Sequence, residues 1–301
     1  MTTAVIYSSA PITMNATTLA VSNLQLPHEV AVDGFRHSGN EFASVLAVSG
    51  AAPRVRFSTP FAAAYTLIGL KALKLTTCNI YLSKFSDGLK LATSTHRKWA
   101  LTSSCTALAC IRGASVSNRG LLMADVEIVF LSNDGQAHPL TASDANALPT
   151  LGSEPALHTL GPATINGTTT GGYLSCSLDL GAEITVALSD GDRFPRVAAY
   201  VGGTPIISCE HTDPVTLSTV TGLTGVALSS NFVQYFRTYD TSTHLSGTDG
   251  LSLTVASGRV VLDTIGSDNL AVATGSLRVL PLSTSTTHPI VVASGATVPS
   301  P

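Results

Sequence analysis

The chain reads as an all-β protein, mainly strands with one short helix, folded as β-sandwich or barrel domains built from hairpins. Three observations carry that expectation. Ser and Thr together supply 72 of the 301 residues; Thr is β-branched and favours strands, and Ser closes turns through its own backbone contacts. Asp-Gly, which tolerates the positive φ of a tight type I′ turn, occurs five times, and Asn-Gly once. Between these turns lie short apolar or alternating runs of strand length.

In chain order, Asp33-Gly34 marks the first turn, and PRVRFST at 53 to 59 alternates so that Val55 and Phe57 share one face and Arg54 and Arg56 the other. Ser58-Thr59 then offers an N-cap, with Pro60 at the first helical position, and FAAAYTLI runs to a stop at Gly69. The spacing of Phe61, Ala64, Tyr65 and Ile68 gives this helix, near 60–69, one apolar side to pack on a sheet. NIYLSKF and LKLAT flank Asp87-Gly88, and LLMADVEIVFLS at 121 to 132 leads to Asp134-Gly135. From Gly135 to Leu157 the pattern lapses into small polar residues and Pro. Beyond it come Asn166-Gly167, ITVALS before Asp190-Gly191, PIISCE at 205 to 210, and LSLTVAS after Asp249-Gly250. RVVLDTI and LAVATGSLRVL follow, and from Ser283 the chain carries no charged residue.

These runs predict an N-terminal β-sandwich or barrel domain over 1–140, a linker or long loop over 141–156, a second β-sandwich over 157–282, and a flexible C-terminal arm over 283–301. One internal similarity stands out: Glu127-Ile128 through Asp134-Gly135 to Pro139 parallels Glu183-Ile184 through Asp190-Gly191 to Pro195, 56 residues on. It reads either as two similar hairpins in neighbouring sandwiches or as a coincidence of turn chemistry.

Charged residues make up only 12% of the chain, where about 25% is usual. A surface so poor in charge stays soluble through hydroxyls and Gly, or is covered by other subunits; the second is the reading adopted. The charge is also unevenly placed. Ten basic residues and one acid lie between Arg54 and Arg119, whereas fifteen acids and five arginines follow Gly120. Dispersed over so many residues, the basic half is a weak nucleic-acid footprint and fits better as the partner of an acidic half, within a subunit or between copies. Arg54, Arg56, Lys71, Lys74, Lys84 and Lys90 are the candidates for such contacts between subunits.

The chemistry expected is as notable for what is missing. No Gly-x-Ser-x-Gly elbow, phosphate loop or dinucleotide-binding glycine fingerprint occurs, so no enzyme activity and no cofactor are expected. The five cysteines form no Cys-x-x-Cys and the eight histidines no His-x-His, which leaves no patterned zinc site and suggests buried free thiols. Asp190-Gly191-Asp192 supplies too few ligands for calcium and reads as a solvated turn. Nineteen acids leave a glycosidase pair open without selecting one, and a single Trp, Trp99, argues against an aromatic sugar platform. No run is apolar enough for a membrane helix, and the first fifteen residues lack the pattern of a secretory signal, so residence in a cytoplasm is expected. Asn15-Ala16-Thr17 and Asn166-Gly167-Thr168 then match the glycosylation pattern only incidentally.

Three passages, ITMNATTLAVSNLQLPHEVAVDGFRHSG, PRVRFSTPFAAAYTLIGL and GLLMADVEIVFLSNDGQAHPLTASDANALP, resemble virion proteins of tailed bacteriophages, most of all tail-tube proteins. The resemblance rests on the order of a β start, a short helix and a hairpin, and it covers the first half. It implies sheets that join between copies into a ring, usually of six, with rings stacked around a channel for DNA. The partners implied are other copies of the chain, other virion proteins, and DNA that passes without specific binding; the place implied is the virion, assembled in the host cytoplasm. Most basic residues are then expected to face away from the channel, because tight phosphate binding would hold DNA that must slide. Two alternatives stay open: a jelly-roll capsid or capsid-decoration protein, and, from another class, a receptor- or carbohydrate-binding module.

Overall fold

The computed structural model describes residues 6–27, 30–35, 45–86, 90–91, 95–152, 156–222, 224–239, 246–266, 273–283 and 287–300. It is an antiparallel β structure with two short helices. The first half begins with β1 (Ile6–Met14), β2 (Thr17–Leu19), β3 (Ser22–Gln25), β4 (Val30–Phe35), β5 (Val45–Ala51) and β6 (Arg54–Pro60). It continues with α1 (Phe61–Ile68), β7 (Ala72–Leu75), β8 (Cys78–Ser86), β9 (Lys90–Leu91), β10 (His96–Leu101), β11 (Thr106–Ser117), β12 (Met123–Leu131) and β13 (Leu140–Asn146). The second half begins with β14 (His158–Ile165), β15 (Thr168–Thr170), β16 (Tyr173–Asp179), β17 (Glu183–Ala187), β18 (Val197–Val201) and β19 (Ile206–His211). It ends with α2 (Pro214–Thr221), β20 (Val226–Ala227), β21 (Phe232–Thr238), β22 (Ser246–Val255), β23 (Gly258–Gly266), β24 (Thr274–Pro281) and β25 (Ile290–Ala296).

The two halves are the same unit twice. One sheet of the first half has the order β2-β1-β8-β10-β13, with the short β9 beside β8; the corresponding sheet of the second half is β15-β14-β21-β22-β25. The opposing strands run β11-β12-β6-β3 with β7 on β11, matched by β23-β24-β19-β16 with β20 on β23. Each half adds a separate hairpin, β4–β5 or β17–β18, and a helix that follows the same strand. Within each unit the two sheets close on an apolar interior: Ile12, Met14 and Ile80 meet Val55, Phe57, Ile128 and Phe130, and further on Phe232, Phe236 and Leu253 meet Ile207, Leu277 and Val279.

Local chemistry repeats with the topology. Asn15 and Asn166, at the β1–β2 and β14–β15 turns, both hold positive φ. Asn15 Oδ1 accepts from the backbone N–H groups of Thr76 and Thr77, and Asn166 Oδ1 from those of Ser229 and Ser230. Their amides donate to Lys74 O and Ala227 O, so each Asn ties one turn to the start of a distant strand. His138 and His288 likewise accept through Nδ1 from the N–H of Leu140 and Ile290, at the entry to β13 and β25.

Several expectations are corrected. The supposed arm over 283–301 contains β25, which pairs with β22 from Val255↔Ile290 to Gly250↔Ala296 and buries Ile290 and Val292. The supposed linker over 141–156 begins inside β13, which pairs with β10; no alternation shows there because Thr141 to Ala145 are exposed in succession, on both faces of the strand. Asp33-Gly34 and Asp249-Gly250 lie within strands, the latter at a bulge with Asp249 at φ 57°. Asp87-Gly88 lies outside the described residues. Helix α1 forms as expected and ends at Gly69, but Pro60 is its cap; Thr59 Oγ1 instead donates to Ala20 O. A second helix, α2, follows Asp213, whose carboxylate accepts from Val215 and Thr216 N–H. Its β-branched text, PVTLSTVT, reads like a strand, and the Asp-Pro start with Gly222 at the end is what overrides it. The similarity 56 residues apart is not the repeat: Glu127 lies in a central strand and Glu183 in a hairpin.

Candidate assembly interface

The two units meet strand to strand. Gly113 to Ser117 of β11 pair with Asp179 to Ser175 of β16, so the sheet of one unit continues into the other to give ten strands. β7 occupies the same side of β11 further back, opposite Ala107 to Cys110. The backbones approach closely: a Cβ on Gly113 would lie 2.5 Å from Leu178 O, which explains glycine there. Ala114 and Val116 are buried at this seam together with Cys176 and Leu178.

The hairpin β17–β18 then folds over the outer surface of the first unit. Ile184 joins Cys110, Val129 and Leu131 in a second, smaller apolar cluster, flanked by Ala198 and Tyr200, and the Tyr200 hydroxyl donates to Leu70 O at 3.3 Å. The turns at Asp134-Gly135 and Asp190-Gly191 dock on each other. Arg193 and Phe194 N–H donate to Gly135 O, Gln136 Nε2 donates to Gly191 O, and the Phe194 ring meets His138 edge-on.

At this junction lies the strongest charge cluster. The Glu127 side chain is fully buried, yet its Oε1 accepts from Arg54 at 3.2 Å and from Arg56 at 2.8 Å, and its Oε2 from Arg112 at 2.8 Å. Burial pushes the Glu127 carboxyl up, but the hydrogen bonds from Arg56 and Arg112 and the field of the guanidinium groups outweigh it and hold the group below its ordinary value. Arg54 also reaches Ile184 O of the second unit's hairpin, at 3.5 Å. One carboxylate thus gathers three cations exactly where the units pack, and Glu183 of the hairpin adds a further negative charge near Arg112.

Of the residues expected to make charge contacts between subunits, Arg54 and Arg56 are therefore engaged inside the chain, at the contact between its own units. Lys71 and Lys74 are exposed, Lys84 is half-buried, and the side chain of Lys90 lies outside the described residues. The structure does not bring Lys71, Lys74 or Lys84 to the arginine cluster. Sequence reasoning missed Glu127, although it stands as a lone acid in the apolar run VEIVFL opposite Arg56, and a buried acid in such a strand demands cationic partners.

All five cysteines are buried and unbridged. Burial pushes the Cys78 thiol up to about 12 and, with Glu127 adding to it, the Cys110 thiol up to about 11, so neither is a ready nucleophile. No group of three or more metal-ligating side chains occurs among the described residues, and no described helix is long and apolar enough to cross a membrane. A groove of about 900 Å³ runs between α1, the β2 turn and β25 and is walled mainly by Ala, Thr, Leu and Gly. No known family model and no curated protein matches the chain.

Proposed function

We propose that this chain is a structural virion protein that assembles with copies of itself, as the tail-tube protein whose stacked rings enclose a DNA channel. The observation that carries the reading is the junction of its units: inside one chain, the sheet of one sandwich already continues edge to edge into the sheet of a second copy of the same sandwich. A unit that associates with itself through strand edges and small apolar contacts fits an assembling protein, and charge-poor surfaces bury against one another at little desolvation cost. With two units per chain, a ring of six units holds three chains. DNA passes through such a ring without specific contacts, and the protein acts without catalysis or cofactor.

Negative-stain electron microscopy of the purified chain across a concentration series tests this reading. Rings of constant diameter or striated tubes are the expected result. Closed shells would move the protein to the capsid class. A monodisperse monomer at every concentration would overturn self-assembly and favour a receptor- or carbohydrate-binding module.

A further inference from the structure

We infer that the chain docks head to tail on a second copy of itself, the β3 edge and β4–β5 hairpin of one copy seating on β23 and β24 of the next. The inference rests on the self-assembly reading and names its contact surface.

Inside the chain, three apolar residues of the first unit are covered by the second. Ala114 is 4% exposed under β16, and Val129 and Leu131 are 0% and 9% exposed beneath β17–β18. The matching strand pairs fix their counterparts: Ala114↔Ala124 corresponds to Ile265↔Gly275, and Leu108↔Val129 to Arg259↔Leu280, which places Leu282 where Leu131 stands. These counterparts are open. Ile265 is 53% exposed, Leu280 36% and Leu282 60%; Ile265 lies opposite Gly275 near one end of the β23–β24 pair and Leu280 opposite Arg259 near the other, and the edge of β23 beyond β20 is unpaired among the described residues. An apolar strand edge of this kind is a template for another strand.

The elements that cover the first unit are β16 and β17–β18. Their equivalents in the first unit are β3 and β4–β5, and among the described residues β3 pairs only with β6. At the base of β5, Ala51 N–H donates to Arg193 O and Gly50 lies against Leu188; apart from that contact, the chain carries a second time both elements of the junction that it makes within itself. The two surfaces differ, so the contact is heterologous and repeats from chain to chain, closing into a ring when the rotation permits. Transferring the internal register sets Gln25 opposite Gly266 and Leu26 opposite Ile265, as Ser177 and Leu178 stand opposite Ser115 and Ala114. Thr264 takes the place of Gly113, so pairing begins at Ile265.

Paired cysteines test the register in the full chain. Gln25 and Gly266 are both exposed, a Cβ on Gly266 meets nothing within 4 Å, and the native cysteines are buried. Under mild oxidation the variant carrying both Gln25→Cys and Gly266→Cys is expected to give a ladder of covalent multimers. Either single variant alone gives none, and a mixture of the two singles stops at dimers. In parallel, Ile265→Asp combined with Leu282→Asp is expected to leave a folded monomer, with the circular dichroism and denaturation midpoint of the parent. If the parent assembles while no ladder forms, while a single cysteine variant links to itself, or while the aspartate variant assembles unchanged, the head-to-tail contact is overturned and self-assembly stands. If the parent never assembles, the broader reading fails and this contact with it.

Discussion

The two units share a fold and differ in what lies on their central sheet. In the first, β11 is flanked by β12 on one side and by β7 and β16 on the other, and Gly113, Ala114 and Val116 are buried. In the second, Thr264 and Ile265, at the places of Gly113 and Ala114, are exposed. The charges follow this difference. Arg112 and Glu127 bridge β11 to β12; their positional equivalents are Asp263 and Arg278, a bridge of 2.6 Å with its polarity reversed. The first pair is drawn into a junction where the buried carboxylate needs three guanidinium groups, whereas the second has both partners open to water. Identical topology therefore does not fix the energetics of a position; the covering neighbour does.

The sharpest way to break the comparison is to remove the acid from each bridge. Glu127→Ala leaves three arginines converging on a site without an anion and is expected to cost about 3 kcal/mol, seen as a large fall in the urea midpoint. Asp263→Ala removes an exposed partner and is expected to cost under about 1 kcal/mol. The acid dependence has a definite sign. Because the Glu127 carboxyl is held below its ordinary value of 4.5, its contribution is complete above that pH and is lost as pH falls toward the depressed value. Glu127→Gln should therefore flatten the acid limb of the stability profile relative to the parent, and an unchanged limb would show that the cluster contributes nothing there.

A smaller effect separates the two strand edges. Gly113→Val forces a side chain against Leu178 O and is expected to cost about 2 kcal/mol, while Gly266→Val, with open space around it, should leave the midpoint of the isolated chain nearly unchanged. Equal losses at the two sites would mean that the internal seam is not the close approach described. Smallest is the change at the paired turns. Asn15→Ala and Asn166→Ala each delete hydrogen bonds to a distant strand start and should cost about 1 kcal/mol apiece, nearly alike, because this feature is common to both units. Markedly different midpoints would show that the two turns are not equivalent in energy.

Much of this architecture was legible and one central fact was not. The alternation of PRVRFST, the stop at Gly69 and the Asn166-Gly167 turn correspond to β6, the end of α1 and the β14–β15 hairpin. The duplication escaped because the strands share almost no residues: buried positions accept any apolar side chain of suitable size. Identity persists where the backbone is constrained. PITMNATT and PATINGTT surround the two positive-φ turns, and HPLTASDANALP and HPIVVASGATVP lead into the two last strands, with Ala145 and Gly295 both at positive φ. Comparing turn segments rather than strand segments would have found the repeat.

By itself the sequence determined the class of structure and its local punctuation, since β-branched content, alternation and turn residues act over a few neighbours. It also determined that charge would be scarce and clustered. Only the tertiary structure decided that the halves are one unit used twice, that Arg54 and Arg56 serve Glu127 within the chain, and that Ile265, Leu280 and Leu282 are open where their counterparts are covered. Those facts depend on which strand edge lies beside which across more than a hundred residues of chain, and no short-range pattern encodes that pairing.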